Sequence, residues 1–213
     1  MKYKAYLFDF DGTLVNSMPY YASAMLRILD EQGIAYGSDL VKIITPLGYY
    51  GTARYYRELG VDLSEDEIVE MMKKYLYVEY RDNIGAKENV RSTLRTLKDE
   101  GASLNVLTAS PHILLDTCLE RLGILDLFTN VWSCDDFGTT KADPEIYRRA
   151  ADRIGVPLSE LLFLDDNLNA NKTGRLAGIP LCAVYDPSSE EYIDEIKEVA
   201  DYYIYDFSEI LSL

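Results

Sequence analysis

The sequence predicts an α/β protein whose mostly parallel sheet is interrupted, after its first strand, by an all-helical insert. Three observations carry that prediction. A short apolar run, Lys4 to Phe8, ends abruptly in Asp9-Phe10-Asp11-Gly12-Thr13. From about Ser17 to Gly85 the apolar residues recur at helical spacing, without convincing strands. Beyond Gly85, apolar strand-like runs alternate with helical patterns. Such alternation argues for βαβ units in a parallel sheet covered by helices on both faces.

Taken in order, Lys4 to Phe8 is the first strand. Tyr21, Met25, Ile28 and Leu29 mark a helix that stops before Gly33. Pro46 to Leu59 predicts a second helix, broken at Gly48 or Gly51. Ser64 and Glu67 form a capping box, and Ile68, Met71, Met72 and Tyr75 supply the apolar stripe behind it. Val90, Leu94 and Leu97 give a helix that closes at Gly101, followed by a strand over Leu104 to Leu107. Ser110 as N-cap with Pro111 at N1 opens a helix that runs to Gly123. Val131 to Ser133 is a brief strand, and Asp143-Pro144 opens a helix through Ile146, Ala150 and Ile154. Leu161 to Leu164 is a buried strand ending in Asp165-Asp166, with a short helix from Leu168 to Ala177. Leu181 to Val184, a helix marked by Tyr192, Ile193, Ile196 and Val199, and an edge strand at Tyr202 to Tyr205 complete the chain. The expected domains are 1–16 with 86–213, and a helical domain over 17–85.

Composition narrows the function classes. With 36 acidic against 21 basic side chains, the net charge of -15 argues against nucleic acid and anionic membrane as partners. Three cysteines, Cys118, Cys134 and Cys182, are odd in number and widely spaced, which fits neither a disulfide scaffold nor a zinc site. A reducing, cytoplasmic setting is expected. No apolar run approaches the ~20 residues of a membrane span, and the N-terminal apolar stretch lacks the features of a signal peptide.

Four polar features stand at strand ends or beside helix starts. Asp9 and Asp11 repel one another unless a cation or a shared proton intervenes, and magnesium suits one or two carboxylates plus phosphate oxygens. An Asp-rich turn after a strand is the plainer alternative. Thr108 ends its strand directly ahead of a helix N-terminus, where N–H groups and a hydroxyl can cradle phosphate oxygens; a simple cap is the alternative. Lys141 by itself reads as a solvated loop charge. Asp165 and Asp166 repeat the oddity of the first strand, and two such ends at one sheet edge make a cation site the better reading.

Asp9-Phe10-Asp11-Gly12-Thr13-Leu14-Val15 resembles motif I of the haloacid dehalogenase-like hydrolase superfamily, the aspartate-nucleophile phosphatases. Thr108 resembles motif II, Lys141 in Lys-Ala-Asp-Pro resembles motif III, and Phe163-Leu164-Asp165-Asp166 resembles motif IV. The order is that of the family and the resemblance covers essentially the whole chain. It implies a Rossmann-like three-layer core with a C1-type helical cap, as in the β-phosphoglucomutase and phosphoglycolate phosphatase branch. It further implies Asp9 as nucleophile and Asp11 as acid and base. Mg2+ is implied on Asp9, the Asp11 main-chain carbonyl and Asp166, with Asp165 acting through water. Thr108 and Lys141 are implied to bind phosphate oxygens, helped by backbone N–H groups near Asp11, Gly12 and Ala109. The chain departs from the pattern at Ala170, where many members carry Asp or Asn; Asn169 and Asn171 flank it. In the insert, Arg54 is the cation expected to meet a second anionic group, with surface exposure as the alternative. Tyr20, Tyr49, Tyr50 and Tyr55 are the tyrosines that could face substrate. His112 is either an exposed first-turn residue or a substrate contact. The expected activity is a phosphatase acting on a small phosphorylated metabolite, as a monomer or weak homodimer. Phosphomutase and non-catalytic phosphate binder are the alternatives. Asp11 and the lack of a histidine in Ser17-Met18-Pro19-Tyr20 favour the phosphatase.

Overall fold

A computed structural model describes residues 2–213. Its contacts divide the chain into two compact units, 1–16 with 85–213, and 17–84. Gly85 goes with the first unit.

The first unit is built on a six-stranded sheet: β1 (Ala5–Phe8), β2 (Ser103–Thr108), β3 (Asn130–Ser133), β4 (Leu161–Asp165), β5 (Leu181–Val184) and β6 (Tyr202–Ile204). The spatial order is β3-β2-β1-β4-β5-β6, and every pairing is parallel. Strands β1, β4 and β5 are buried along their whole length, as a sheet covered on both faces demands. Asn105 is the polar exception inside β2. Its amide donates to the Tyr6 carbonyl at 3.2 Å and accepts from Asn130 at 2.7 Å, tying the edge strand β3 to the centre. Below β4, Phe163 packs on Tyr147 with ring centroids 4.8 Å apart, in a core shared with Leu7, Ile146 and Leu181.

Order reverses between β1, which is followed in space by β2 on one side, and β4 on the other. In an open parallel sheet that reversal leaves a crevice at the carboxyl ends of the strands. The insert comprises α1 (Met18–Gln32), α2 (Leu40–Ile44), α3 (Gly48–Glu58) and α4 (Glu65–Asp82). The sheet unit adds α5 (Val90–Asp99), α6 (His112–Leu122), α7 (Glu145–Ile154), α8 (Leu168–Ala177) and α9 (Ile193–Val199).

In the helical unit, α1 buries Ala24, Met25, Ile28 and Leu29, and α4 buries Ile68, Val69, Met72, Leu76 and Tyr80. Each large apolar side chain so buried stabilises by roughly 1.5–3 kcal/mol. The capping box forms as the sequence predicts: Ser64 Oγ accepts the Glu67 N–H at 3.2 Å and the Ser64 N–H donates to Glu67 Oε2 at 2.8 Å. The predicted break in the second helix does not occur at Gly51. Helix α3 follows a 3-10 turn over Thr45–Leu47 and runs through that glycine. A Cβ on Gly51 would meet Leu47 Cβ at 2.8 Å, so glycine permits close approach here instead of ending the helix. Tyr56 anchors α3 through its hydroxyl, which donates to the Met25 carbonyl at 3.0 Å. Among the described residues, no helix is long and apolar enough to cross a membrane.

Candidate active site

The site assembles from the carboxyl ends of β1, β2 and β4. Phe8 pairs with Leu164, and the Asp9 N–H continues that ladder by donating to the Leu164 carbonyl at 2.8 Å. Asp9 therefore stands beside Asp165, and Asp166 follows. All three carboxylates are buried, and one oxygen from each falls within 4.8 Å of the others. Among the described residues these three form the cluster able to hold a metal ion; the Asp11 side chain stands outside it.

Lys141 reaches into this cluster from the loop ahead of α7. Its Nζ donates to Asp9 Oδ1, and to Asp165 Oδ2 at 2.7 Å. The reading of Lys141 as a solvated loop charge is therefore displaced: its side chain is only 14% exposed. Tyr147, on α7, places its hydroxyl 3.2 Å from the Lys141 carbonyl and 3.2 Å from the Ala170 carbonyl, which fixes the loop that carries the lysine. The electrostatics follow from burial. Desolvation pushes the Asp9 carboxyl up to about 7 against the pull of Lys141, with Asp165 and Asp11 adding to the rise. Desolvation likewise raises Asp166, helped by Asp165 and Asp9. Burial acts to lower Lys141, but the Asp165 and Asp9 carboxylates outweigh it and keep the ammonium charged. Three buried carboxylates against one lysine leave surplus negative charge. A divalent cation fits that deficit, and oxygen-only donors suit a hard ion.

The remaining expected residues take distinct places. Gly12 turns the chain after Asp11 with φ +79°, and a Cβ there would lie 2.6 Å from Asp166 Oδ2. Thr13 locks Asp166 twice: its hydroxyl donates to Oδ1 at 2.9 Å and accepts the Asp166 N–H at 3.1 Å. Asp165 gives Oδ1 to the Asn167 N–H at 2.7 Å while Oδ2 holds Lys141, so both oxygens already serve protein donors. Thr108 ends β2, and its hydroxyl accepts the Ser110 N–H at 3.0 Å, leaving the hydroxyl proton to donate. Ala109 is exposed between them. Of the two asparagines flanking Ala170, Asn169 is exposed, whereas Asn171 is buried behind the site. Its amide nitrogen donates to the Asp165 carbonyl at 3.1 Å and to the Asn167 carbonyl at 2.9 Å.

The expected N-cap at Ser110 is corrected by the structure. Pro111 occupies the cap position of α6 without a side-chain bond, and Ser110 Oγ donates instead to Asp11 Oδ2 at 2.5 Å. Ser110, Thr13 and Tyr147 are the residues around the site that sequence reasoning left without a site contact. A Ser-Pro pair before a helix signals a cap from spacing alone, so nothing local could redirect that hydroxyl. His112 opens α6 as expected. Its Nε2 lies 2.8 Å from Asp136 Oδ2 and its Nδ1 3.1 Å from both Asp116 oxygens, so it links α6 to the turn after β3. Arg54 belongs to the helical unit, exposed on α3; Tyr50 there is exposed and donates to Asp66 at 3.1 Å, while Tyr20, Tyr49 and Tyr55 are half-buried.

A buried carboxylate cluster threaded by one lysine, at the switch point of a parallel sheet, is the layout of an enzyme site that fits a divalent metal. The chain belongs to the haloacid dehalogenase-like hydrolases, whose family model matches residues 3–178. It is 29% identical to the pyrophosphatase PpaX of Bacillus velezensis, over 84% of this chain and 82% of that protein. It is 26% identical to an N-acetylmuramic acid 6-phosphate phosphatase of Pseudomonas aeruginosa, over 86% and 82% respectively. Its fold matches the crystal structure of CbbY from Rhodobacter sphaeroides in complex with xylulose-(1,5)bisphosphate. That match has a TM-score of 0.81 at 20% identity, covering 97% of this chain and 96% of that one.

Proposed function

We propose that this hydrolase is a magnesium-dependent phosphatase of a small phosphorylated metabolite, working through an aspartyl-phosphate on Asp9. The observation that carries the reading is Asp9 itself, a buried carboxylate fixed between Lys141 and the acidic end of β4. Asp9 Oδ attacks phosphorus as the bond to the leaving oxygen breaks, and Asp11 gives that oxygen its proton. Asp11 then takes a proton from the water that cleaves the acyl-phosphate, which frees inorganic phosphate, returns Asp9 to a carboxylate and restores the proton on Asp11. Thr108 and Lys141 bind the non-bridging oxygens, and the N–H groups near Asp11, Gly12 and Ala109 line the same cradle. Asp9, Asp166 and the Asp11 main-chain carbonyl are the groups that would hold magnesium, with Asp165 behind them. Bound there, the ion offsets the repulsion between a carboxylate nucleophile and a phosphate dianion.

The test is a panel of phosphorylated metabolites, with pyrophosphate and a phosphosugar included because PpaX and the N-acetylmuramic acid 6-phosphate phosphatase carry those names. Phosphate release that requires magnesium and stops with chelator is the expected result. Conversion of β-glucose-1-phosphate to glucose-6-phosphate without free phosphate would make the chain a mutase. Binding of phosphate without turnover of any compound would make it a non-catalytic binder.

A further inference from the structure

The Ser110 hydroxyl has no structural duty that explains its position. Helix α6 is capped at Pro111 without any side-chain bond, so the hydroxyl is not spent on the helix. The Ser110 N–H is already satisfied by Thr108 Oγ1 at 3.0 Å, which pins the turn and directs the serine side chain. Pro111 is extended, with φ -71° and ψ 153°, and its ring disfavours helical backbone at the preceding Ser110, so the turn does not relax into the helix. From this fixed frame the hydroxyl crosses from the end of β2 to the end of β1 and donates to Asp11 Oδ2 at 2.5 Å. Both residues are half-buried.

We infer that Ser110 is a positioning residue for Asp11: its hydrogen bond to Oδ2 helps hold the carboxyl group in the orientation from which Asp11 passes a proton to the leaving group. The inference rests on the proposed phosphatase reading. A carboxyl on a glycine-flanked turn has several rotamers, and a hydrogen bond to Oδ2 narrows the choice among them. Ser110 itself need not touch substrate. No charge changes on the serine: its proton stays on Oγ throughout, while the transferred proton travels between Asp11 and the leaving oxygen.

Proton delivery matters only when the leaving oxygen is a poor one, and that separates positioning from structure. The first-turnover release of leaving group should be followed for Ser110→Ala, Ser110→Thr and the parent protein, with magnesium. The two substrates are p-nitrophenyl phosphate and an alkyl phosphate that the parent protein hydrolyses. First-turnover measurement isolates bond breaking from the later hydrolysis of the acyl-phosphate. The expected result is that Ser110→Ala slows release from the alkyl phosphate about tenfold or more and leaves release of p-nitrophenolate within about twofold. Ser110→Thr, which keeps the hydroxyl, should restore the alkyl rate, and KM should change little throughout. Equal losses on both substrates would assign Ser110 a structural role, and unchanged rates on both would remove it from the reaction; either overturns the inference while the phosphatase reading stands. If the parent protein hydrolyses neither compound nor any member of the metabolite panel, that reading fails and the inference falls with it.

Discussion

Gly12 and Asp166 are so close that no other residue fits at position 12. The φ of +79° is unfavourable for any side chain, and a Cβ would sit 2.6 Å from Asp166 Oδ2, on a carboxylate whose Oδ1 is held by Thr13. Gly12→Ala is therefore expected to displace Asp166, to cost at least about 1–2 kcal/mol in denaturant unfolding, and to weaken magnesium binding measured by calorimetry. Retention of parental stability and metal affinity would show that the turn has room the structure denies it. Individual residues were unequally legible in the sequence. Asp9, Asp11, Asp165 and Asp166 announce themselves because carboxylates at the ends of apolar strands are costly without a purpose. Ser110 and Tyr147 do not, because their contacts lie 99 and 23 residues away, at Asp11 and Ala170. A contact across the sheet leaves no mark on local spacing.

At the scale of elements, legibility followed periodicity. Helices α1, α4, α5 and α7 carry apolar stripes with stops, and strands β1, β4 and β5 are unbroken apolar runs bounded by polar residues. Helix α2 is five residues long, too short for a period to register. The glycine at position 51 reads as a breaker by propensity, but burial of Thr52, Ala53 and Tyr56 on one face of α3 overrides a cost of about 1 kcal/mol. The capping box of α4 gives a direct check on element energetics. Ser64→Ala removes the acceptor for the Glu67 N–H and should lower stability by about 1 kcal/mol, seen as a lower thermal midpoint. The same substitution should leave magnesium affinity unchanged, since the carboxylate cluster belongs to the other unit. A change in metal affinity would mean that the units are coupled more tightly than their separate cores imply.

At the scale of the molecule, a chain of net charge -15 concentrates three of its buried carboxylates at one point. An acid whose folded pKa is raised contributes stability that is fully present below its unfolded value and is lost as pH rises through the folded one. For Asp9 that window runs from about 4 to about 7, and Asp166 shifts in the same direction. His112 adds the same sign by another route. Its bonds to Asp136 and Asp116 raise its pKa, so its contribution is present below its unfolded value near 6.5 and lost above its folded one. With chelator present, the thermal midpoint should fall between pH 5 and pH 8, and magnesium should raise it more at pH 8 than at pH 5. His112→Gln should remove part of the fall and none of the magnesium effect; equal magnesium stabilisation at both pH values would contradict the carboxylate cluster as its site. The central claim is the covalent role of Asp9, and acid quenching during turnover followed by mapping of the phosphorylated residue tests it most directly. The expected result is an acid-stable, hydroxylamine-labile phosphoryl group on Asp9, and neither that adduct nor phosphate release in a folded Asp9→Asn variant. A phosphoryl group on another residue, or substantial turnover by Asp9→Asn, would contradict it.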